Sequence, residues 1–295
     1  MLARVAVAGL ALLVGTQAQA SIDPACADLA AQGPPEGYSE VAQQDFLQNY
    51  FALSSTLSPL HGPVPHEGGH GAFGIDANGI PPLGCRRRLV LGYTKTEDTN
   101  KSPVFPRLRV TFAFPQIGRT VIYAGAAYVP PVEIFGVSAP TVSAELGLGA
   151  KLGETLQVGA RFHSTITRPV AEIATPFIEG DPAFDDLFIA STFGVDGMIG
   201  IKLDNVVPYV SAGLTDASTF FYIGDDSVTV NNFHPYLGLV MSAGIDARLT
   251  DTILAAAEAY AAPGGYNLPD PNVETIGGRS YGHLYTLRVR LALEL

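Results

Sequence analysis

Tryptophan is missing from all 295 residues, and the chain has only two cysteines and three methionines. Charge is scarce as well: Asp, Glu, Lys and Arg together make up 15%, where a water-exposed surface runs at about 25–35%. What charge there is leans one way. Against 28 Asp and Glu stand 17 Lys and Arg, a net charge of -11. That balance weighs against nucleic acid as a partner, because such partners need a basic footprint. After the first 20 residues no stretch approaches the ~20 apolar residues of a membrane helix. Helical spans are thereby excluded, but strands are not, since a spanning strand needs only about ten residues of alternating pattern.

What is present begins with a leader. Arg4 is followed by the apolar run Val5 to Val14, then Ala18-Gln19-Ala20 before Ser21. This is the layout of a secretory signal peptide, residues 1–20, with a small-residue cleavage site. No cysteine follows the site for lipidation. A bacterial exported protein is the natural reading. In an oxidising compartment Cys26 and Cys85 are expected to form a disulfide.

Residues 21–87 differ from the rest. From Ser39 to about Leu57, Phe46, Tyr50, Leu53 and Leu57 recur at helical spacing, with Leu47 and Phe51 beside them. That spacing predicts an amphipathic helix. It reads either as a periplasmic plug or lid for a barrel or as a cover over an exposed apolar surface. Residues 58–84 are rich in Pro, Gly and His without periodicity, and read as loop.

From Arg88 to Leu295 strands dominate. The last stretch, Leu284 to Leu295, alternates Leu287, Val289, Leu291, Leu293 and Leu295 against Thr286, Arg288, Arg290, Ala292 and Glu294. A period of two this regular predicts a strand with one apolar and one polar face. The same pattern recurs over 88–97, 107–114, 120–129, 141–152, 156–167, 187–203, 206–223, 233–249 and 253–261. Short connections (116–119, 153–154, 204–205, 250–251) alternate with long ones (98–106, 130–139, 168–186, 224–232, 263–278). All tight turns therefore gather at one end of the sheet. The expected fold is all-β: an antiparallel transmembrane barrel of about 10 strands, with 8 or 12 as alternatives, over residues 88–295.

On these residues the chain resembles the bacterial outer-membrane β-barrels as an architectural class. The resemblance implies a Gram-negative outer membrane, contact with its lipid and lipopolysaccharide, and insertion by the barrel-assembly machinery, which reads a C-terminal alternating strand. The class favours a final aromatic; here Leu295 stands in its place. An even strand number puts the N- and C-termini both on the periplasmic side. Tyr93, Tyr123, Phe162, Tyr209, Phe220, Tyr222, Tyr236 and Tyr285 are candidates for interfacial girdles.

The polar faces predict a lumen lined by Arg107, Arg109, Glu145, Lys151, Arg161, His163, Asp196, Lys202, Asp246, Arg248, Glu258, Arg288, Arg290 and Glu294. If open, its cationic excess would favour a small anionic solute. If narrow, the same residues would close into a ladder of ion pairs, as suits a small barrel filled by its own side chains. His66-Glu67-Gly68-Gly69-His70 matches H-E-x-x-H formally, but that zinc chemistry needs a helix, and Pro65 and two glycines oppose one. His61, His66 and His70 remain as a candidate loop metal site; no cofactor is implied. His234 and His283 near acidic loops are the most a hydrolase could draw on, and they form no recognised pair. Three functions follow: a narrow or gated pore, a filled barrel working through acidic outer loops (Glu172, Glu179, Asp181, Asp185, Asp186, Asp225, Asp226), or a hydrolase.

Overall fold

The computed structural model describes residues 22–97, 99–134, 137–167, 187–222, 230–231, 236–268 and 280–295. Residues 1–21 and the acidic residues of the connections at 168–186 and 224–232 lie outside these residues. Ten antiparallel strands close into a barrel: β1 (Gly71–Gly79), β2 (Val104–Ala113), β3 (Thr120–Val129), β4 (Thr141–Leu152), β5 (Leu156–Thr167), β6 (Leu187–Ile201), β7 (Val206–Tyr222), β8 (Tyr236–Arg248), β9 (Ile253–Leu268) and β10 (Ser280–Glu294). Each pairs with its chain neighbour, and closure is made by β1 against β10, from Ala72 opposite Glu294 to Asn78 opposite Arg288.

The strand at 88–97 is not part of the barrel. That reach holds a short helix, α3 (Cys85–Arg88), and two two-residue strands, Leu89–Val90 and Lys95–Thr96, in a small hairpin. Leu91, Gly92 and Tyr93 all have positive φ, at 57°, 60° and 70°, so the chain turns back where the alternation suggested it would run on. The barrel's first strand is Gly71–Gly79, inside the stretch expected to be loop.

Connections alternate as the pattern predicts. Tight ones follow β2, β4, β6 and β8; long ones follow β1, β3, β5, β7 and β9. The turn at 153 illustrates the local cause: Gly153 has φ of 77°, a region glycine enters without strain.

Along each strand one side faces out and is apolar. Phe73, Leu108, Leu146, Val195, Leu239 and Leu291 are 40–60% exposed or close to it. Apolar area left in water forgoes about 25 cal/mol per Å², so a belt carried round every strand calls for lipid against it. Several tyrosines expected in a girdle point the other way. Tyr123, Tyr209 and Tyr236 are buried inside, where the Tyr209 hydroxyl donates to Glu258 Oε2 at 2.8 Å and the Tyr236 hydroxyl to the Leu239 carbonyl at 2.6 Å. Tyr93 is buried against Cys26 and Leu89. Phe162 and Tyr285 do lie on the outer face, joined by Phe73, Phe112, Phe114 and Tyr128.

The N-terminal segment fills the interior. After α1 (Ala27–Ala31) comes α2 (Glu40–Ser55). Helix α2 lies within the long-connection end of the barrel, against β9, β7 and β6. Residues 56–70 then run extended through the lumen to the tight-turn end and enter β1. The disulfide Cys26–Cys85 forms, with Cα atoms 5.3 Å apart, and ties this segment to the connection after β1. Cys26 therefore sits at the long-connection end, while Leu295 pairs with Gly71 at the other. The two ends of the described chain lie at opposite ends of the barrel, so the expectation of both on one side does not fit this geometry.

Candidate functional site

The site is the lumen, and it is occupied by the chain itself. A helix leaves its last four carbonyls without partners inside the helix. Here the barrel wall supplies partners for two of them, Leu53 O and Ser55 O, and for Thr56 O just beyond. Arg288 donates to Leu53 O at 3.3 Å and to Thr56 O at 2.8 Å; Arg107 donates to Ser55 O at 2.9 Å. Guanidinium groups also complement the negative C-terminal end of a helix dipole. The same device continues down the extended segment, where Arg161 donates to Leu57 O and Arg109 to Ser58 O, both at 3.0 Å. Carboxylates and a hydroxyl take the amides: Leu57 N donates to Thr165 Oγ1, Leu60 N to Glu258 Oε2, and Gly62 N to Asp246 Oδ2 at 3.0 Å. An extended backbone buried in a barrel thus finds side-chain partners where a sheet would have given it a ladder.

The arginines are neutralised by one another's neighbours. Asp76 on β1 is approached by Arg107 at 3.6 Å and Arg109 at 3.2 Å. Arg109 reaches on to Glu145 Oε1 at 2.6 Å, Glu145 Oε2 meets Arg161 at 3.0 Å, and Arg161 ends on Asp196. His163 stands 3.5 Å from Asp196. All these side chains are buried. A buried charge is tolerable only when paired and hydrogen-bonded; every charge of this ladder is paired, while Asp76 Oδ1, Arg107 Nε, Arg109 Nε and Asp196 Oδ1 have no hydrogen bond among the described residues. Among the described residues of this ladder the three arginines are matched by Asp76, Glu145 and Asp196, leaving it no cationic excess to attract an anion. Nothing in the alternation marks Asp76 as a lumen residue, because its strand lies in the Pro-, Gly- and His-rich stretch without regular periodicity.

The remaining predicted lumen residues divide by depth. Glu258 and Arg290 are buried; Lys151, Asp246, Arg248 and Glu294 are half-buried, and Lys202 is exposed. Lys151, Lys202, Arg248 and Glu294 line a polar vestibule of about 440 Å³ at the tight-turn end. Arg248 and Glu294 pair there across β8 and β10.

His61, His66 and His70 do not converge. His61 is buried against Glu145, with Nε2 3.6 Å from the carboxylate. His66 shares a hydrogen bond with Thr111 Oγ1 at 2.7 Å. His70 is exposed at the entry to β1. Among the described residues no group of three His, Cys, Asp or Glu side chains could hold a metal ion, which removes the loop metal site. The residues from Pro65 to His70 form no helix, so the H-E-x-x-H match carries no zinc geometry. His234 and the loop aspartates lie outside the described residues. His283 lies on β10 opposite Pro263.

A closed antiparallel barrel of ten strands, apolar outside and polar within, defines this chain as a transmembrane β-barrel of the outer-membrane class. Similar solved structures include the translocator domain of the autotransporter NalP from Neisseria meningitidis, at 13% identity and TM-score 0.43, covering 78% of this chain and 88% of that one. The attachment invasion locus protein Ail of Yersinia pestis matches at 8% identity and TM-score 0.32, covering 77% and 99%. The Pseudomonas putida toluene transporter TodX matches at 14% and 0.32, covering 88% and 76%. No protein-family profile and no curated protein sequence matches the chain.

Proposed function

We propose that the protein is a closed barrel of a Gram-negative outer membrane that presents an external face and passes no ions through its lumen. The observation that carries this reading is the run of barrel arginines bonded to backbone carbonyls from Leu53 to Ser58. Withdrawing the segment would strand those arginines and their carboxylates in a buried lumen at once. By the rule that outer-membrane barrels keep short turns in the periplasm, the long connections face outward. The mature N-terminal segment, cross-linked to one of them, would then face outward too, with Leu295 in the periplasm. The acidic residues of the connections at 168–186 and 224–232 give that face its charge. Lipopolysaccharide, bridged through divalent cations, is the partner this chemistry suits.

Single-channel recording of the refolded, oxidised protein in a planar bilayer tests the reading. Folding is confirmed beforehand by its resistance to protease. Silence is expected at every moderate potential. Steady ohmic current from folded protein would overturn the closed barrel and restore the pore. An epitope tag placed before Ile22 and probed on intact cells tests the orientation; antibody access is expected without breaking the outer membrane.

A further inference from the structure

Not all of the interior is filled. Beside α2, at the long-connection end, lies a pocket of about 70 Å³ with mainly apolar walls, including Phe51, Ile80, Phe105, Val129 and Val132. For scale, a dry cavity of about 150 Å³ in a protein core takes up benzene. The smaller volume, less than half of that, takes only the hydroxyl end of an unbranched chain, and the rest of the chain must lie outside it.

The pocket runs through the barrel wall. The ladder between β2 and β3 stops at Leu108 opposite Tyr128, while β2 continues to Val104 and pairs there, among the described residues, with β1 alone. Pro106 lies in this unpaired reach, as proline in a sheet does at an edge, and Pro130-Pro131 follow β3 directly. Phe105 and Val129 face inward and are buried, whereas Val104 and Pro106 alternate with them on the outward side. All four line the pocket. The pocket therefore reaches the outward side of the wall at Val104 and Pro106.

Its floor carries one polar group with nothing to bond. Ser54 lines the pocket and is 4% exposed, and its Oγ has no hydrogen-bond partner among the described residues. The neighbouring hydroxyls are engaged: Ser55 Oγ donates to Ala52 O and receives from Thr167, and Ser102 Oγ donates to Val104 O. A buried hydroxyl without a partner costs free energy that a ligand's polar atom would recover.

We propose that this pocket binds a slim, unbranched amphiphile, with its hydroxyl on Ser54 and its hydrocarbon body lying in the gap between β2 and β3. The site takes an alcohol of medium chain length and discriminates against the alkane of the same length.

Because the chain has no tryptophan, one introduced at the pocket reports without background. Phe51→Trp serves as the reporter, and Val132→Trp, at a half-exposed position, serves in case the first perturbs α2. The proteins are held in lipid nanodiscs and titrated with 6-bromo-1-hexanol, whose bromine quenches indole on contact. Saturable quenching is expected in either reporter. Adding Ser54→Ala should weaken it on the order of 10-fold, as the loss of one hydrogen bond implies. With 1-bromohexane the Ser54→Ala change should have no effect. Quenching that only follows partition of the probe into lipid would overturn the site. So would saturable quenching that is indifferent to Ser54→Ala. Repeating the titration at two lipid-to-protein ratios separates the sources: occupancy set by the probe's fraction in lipid means entry through the wall, and occupancy set by its aqueous concentration means entry from the outer end.

Discussion

The two halves of the plug are held by opposite chemistries. Helix α2 is packed by apolar contact: Phe46, Leu47, Tyr50 and Leu53 meet Ala217, Tyr236, Val240, Tyr260, Ala262 and Leu284 from β7 to β10. The extended half is held by hydrogen bonds from β2, β5, β8, β9 and β10, with the carboxylates of β1, β4 and β6 paired to the arginines that make them. The difference follows from backbone accounting. A helix satisfies its own amides and carbonyls and can offer the wall a greasy face. An extended strand in a lumen cannot, so the wall must meet each group with a side chain. Arg288 stands where the two regimes meet. It reaches Leu53 O and Thr56 O while its guanidinium stacks 3.7 Å over the Tyr260 ring.

The comparison is broken most severely from the polar side. Glu145 binds both Arg109 and Arg161 and faces His61. Glu145→Ala leaves two buried guanidinium groups short of a partner. Removing one member of a buried pair costs about 3–5 kcal/mol, so a marked drop in the urea midpoint is expected, or failure to reach the protease-resistant form. From the apolar side, Leu53→Ala removes a fully buried side chain of α2 and is expected to cost about 2–5 kcal/mol. The same urea titration reads it. Salt distinguishes the halves only weakly, because buried pairs are poorly screened. An equal loss on replacing a lumen-facing residue outside both sets, such as Thr192, would show that the division means little.

How much of this was legible depended on which half was being read. The alternation of β2 to β10 put Arg107, Arg109, Arg161, Arg288 and Arg290 inside, since a period of two leaves them no other face. The helical spacing of Phe46, Tyr50 and Leu53 likewise marked α2. Strand β1 was hidden. Its sequence from Gly71 to Gly79 carries Gly74, Asp76 and Asn78, residues depleted in strands, and only Phe73 and Ile75 mark its outer face. Asp76 was lost with it, and with Asp76 the charge balance of the ladder. The apolar lining around α2 was hidden for another reason. Val240 and Leu284 face inward, and a lumen read as polar has no place for them until a helix is known to lie there.

The tether at the long-connection end is the next smaller effect. Cys26 and Cys85 are 59 residues apart, and the loop they close contains α2, the extended segment and β1. Cross-links of this kind typically stabilise by about 2–4 kcal/mol, through the unfolded chain. Cys26→Ser with Cys85→Ser is expected to lower the urea midpoint accordingly while leaving conductance silent, since the arginine contacts hold the lower half unaided. Current in that variant would mean that the lower half depends on the tether, and the two halves would no longer be separable.

The smallest effect tests whether the first described turn belongs to either regime. Asp23 caps the turn by accepting from Ala25 N at 2.9 Å, and it pairs with Arg88 at 2.9 Å. The Ala25 amide first, and then the Arg88 guanidinium, hold its carboxyl below the ordinary aspartate range. A group lowered on folding contributes stability above its unfolded pKa of about 3.9, and the contribution fades as pH falls through the folded value. Asp23→Asn should therefore fall slightly behind the parent at neutral pH, and the gap should close below about pH 3–4. Because the carboxylate is solvent-accessible, salt should shrink the same gap. A gap that persisted at low pH and high salt would assign the turn to packing, as in α2. A gap that vanished in both would make the turn electrostatic, held as the extended half is.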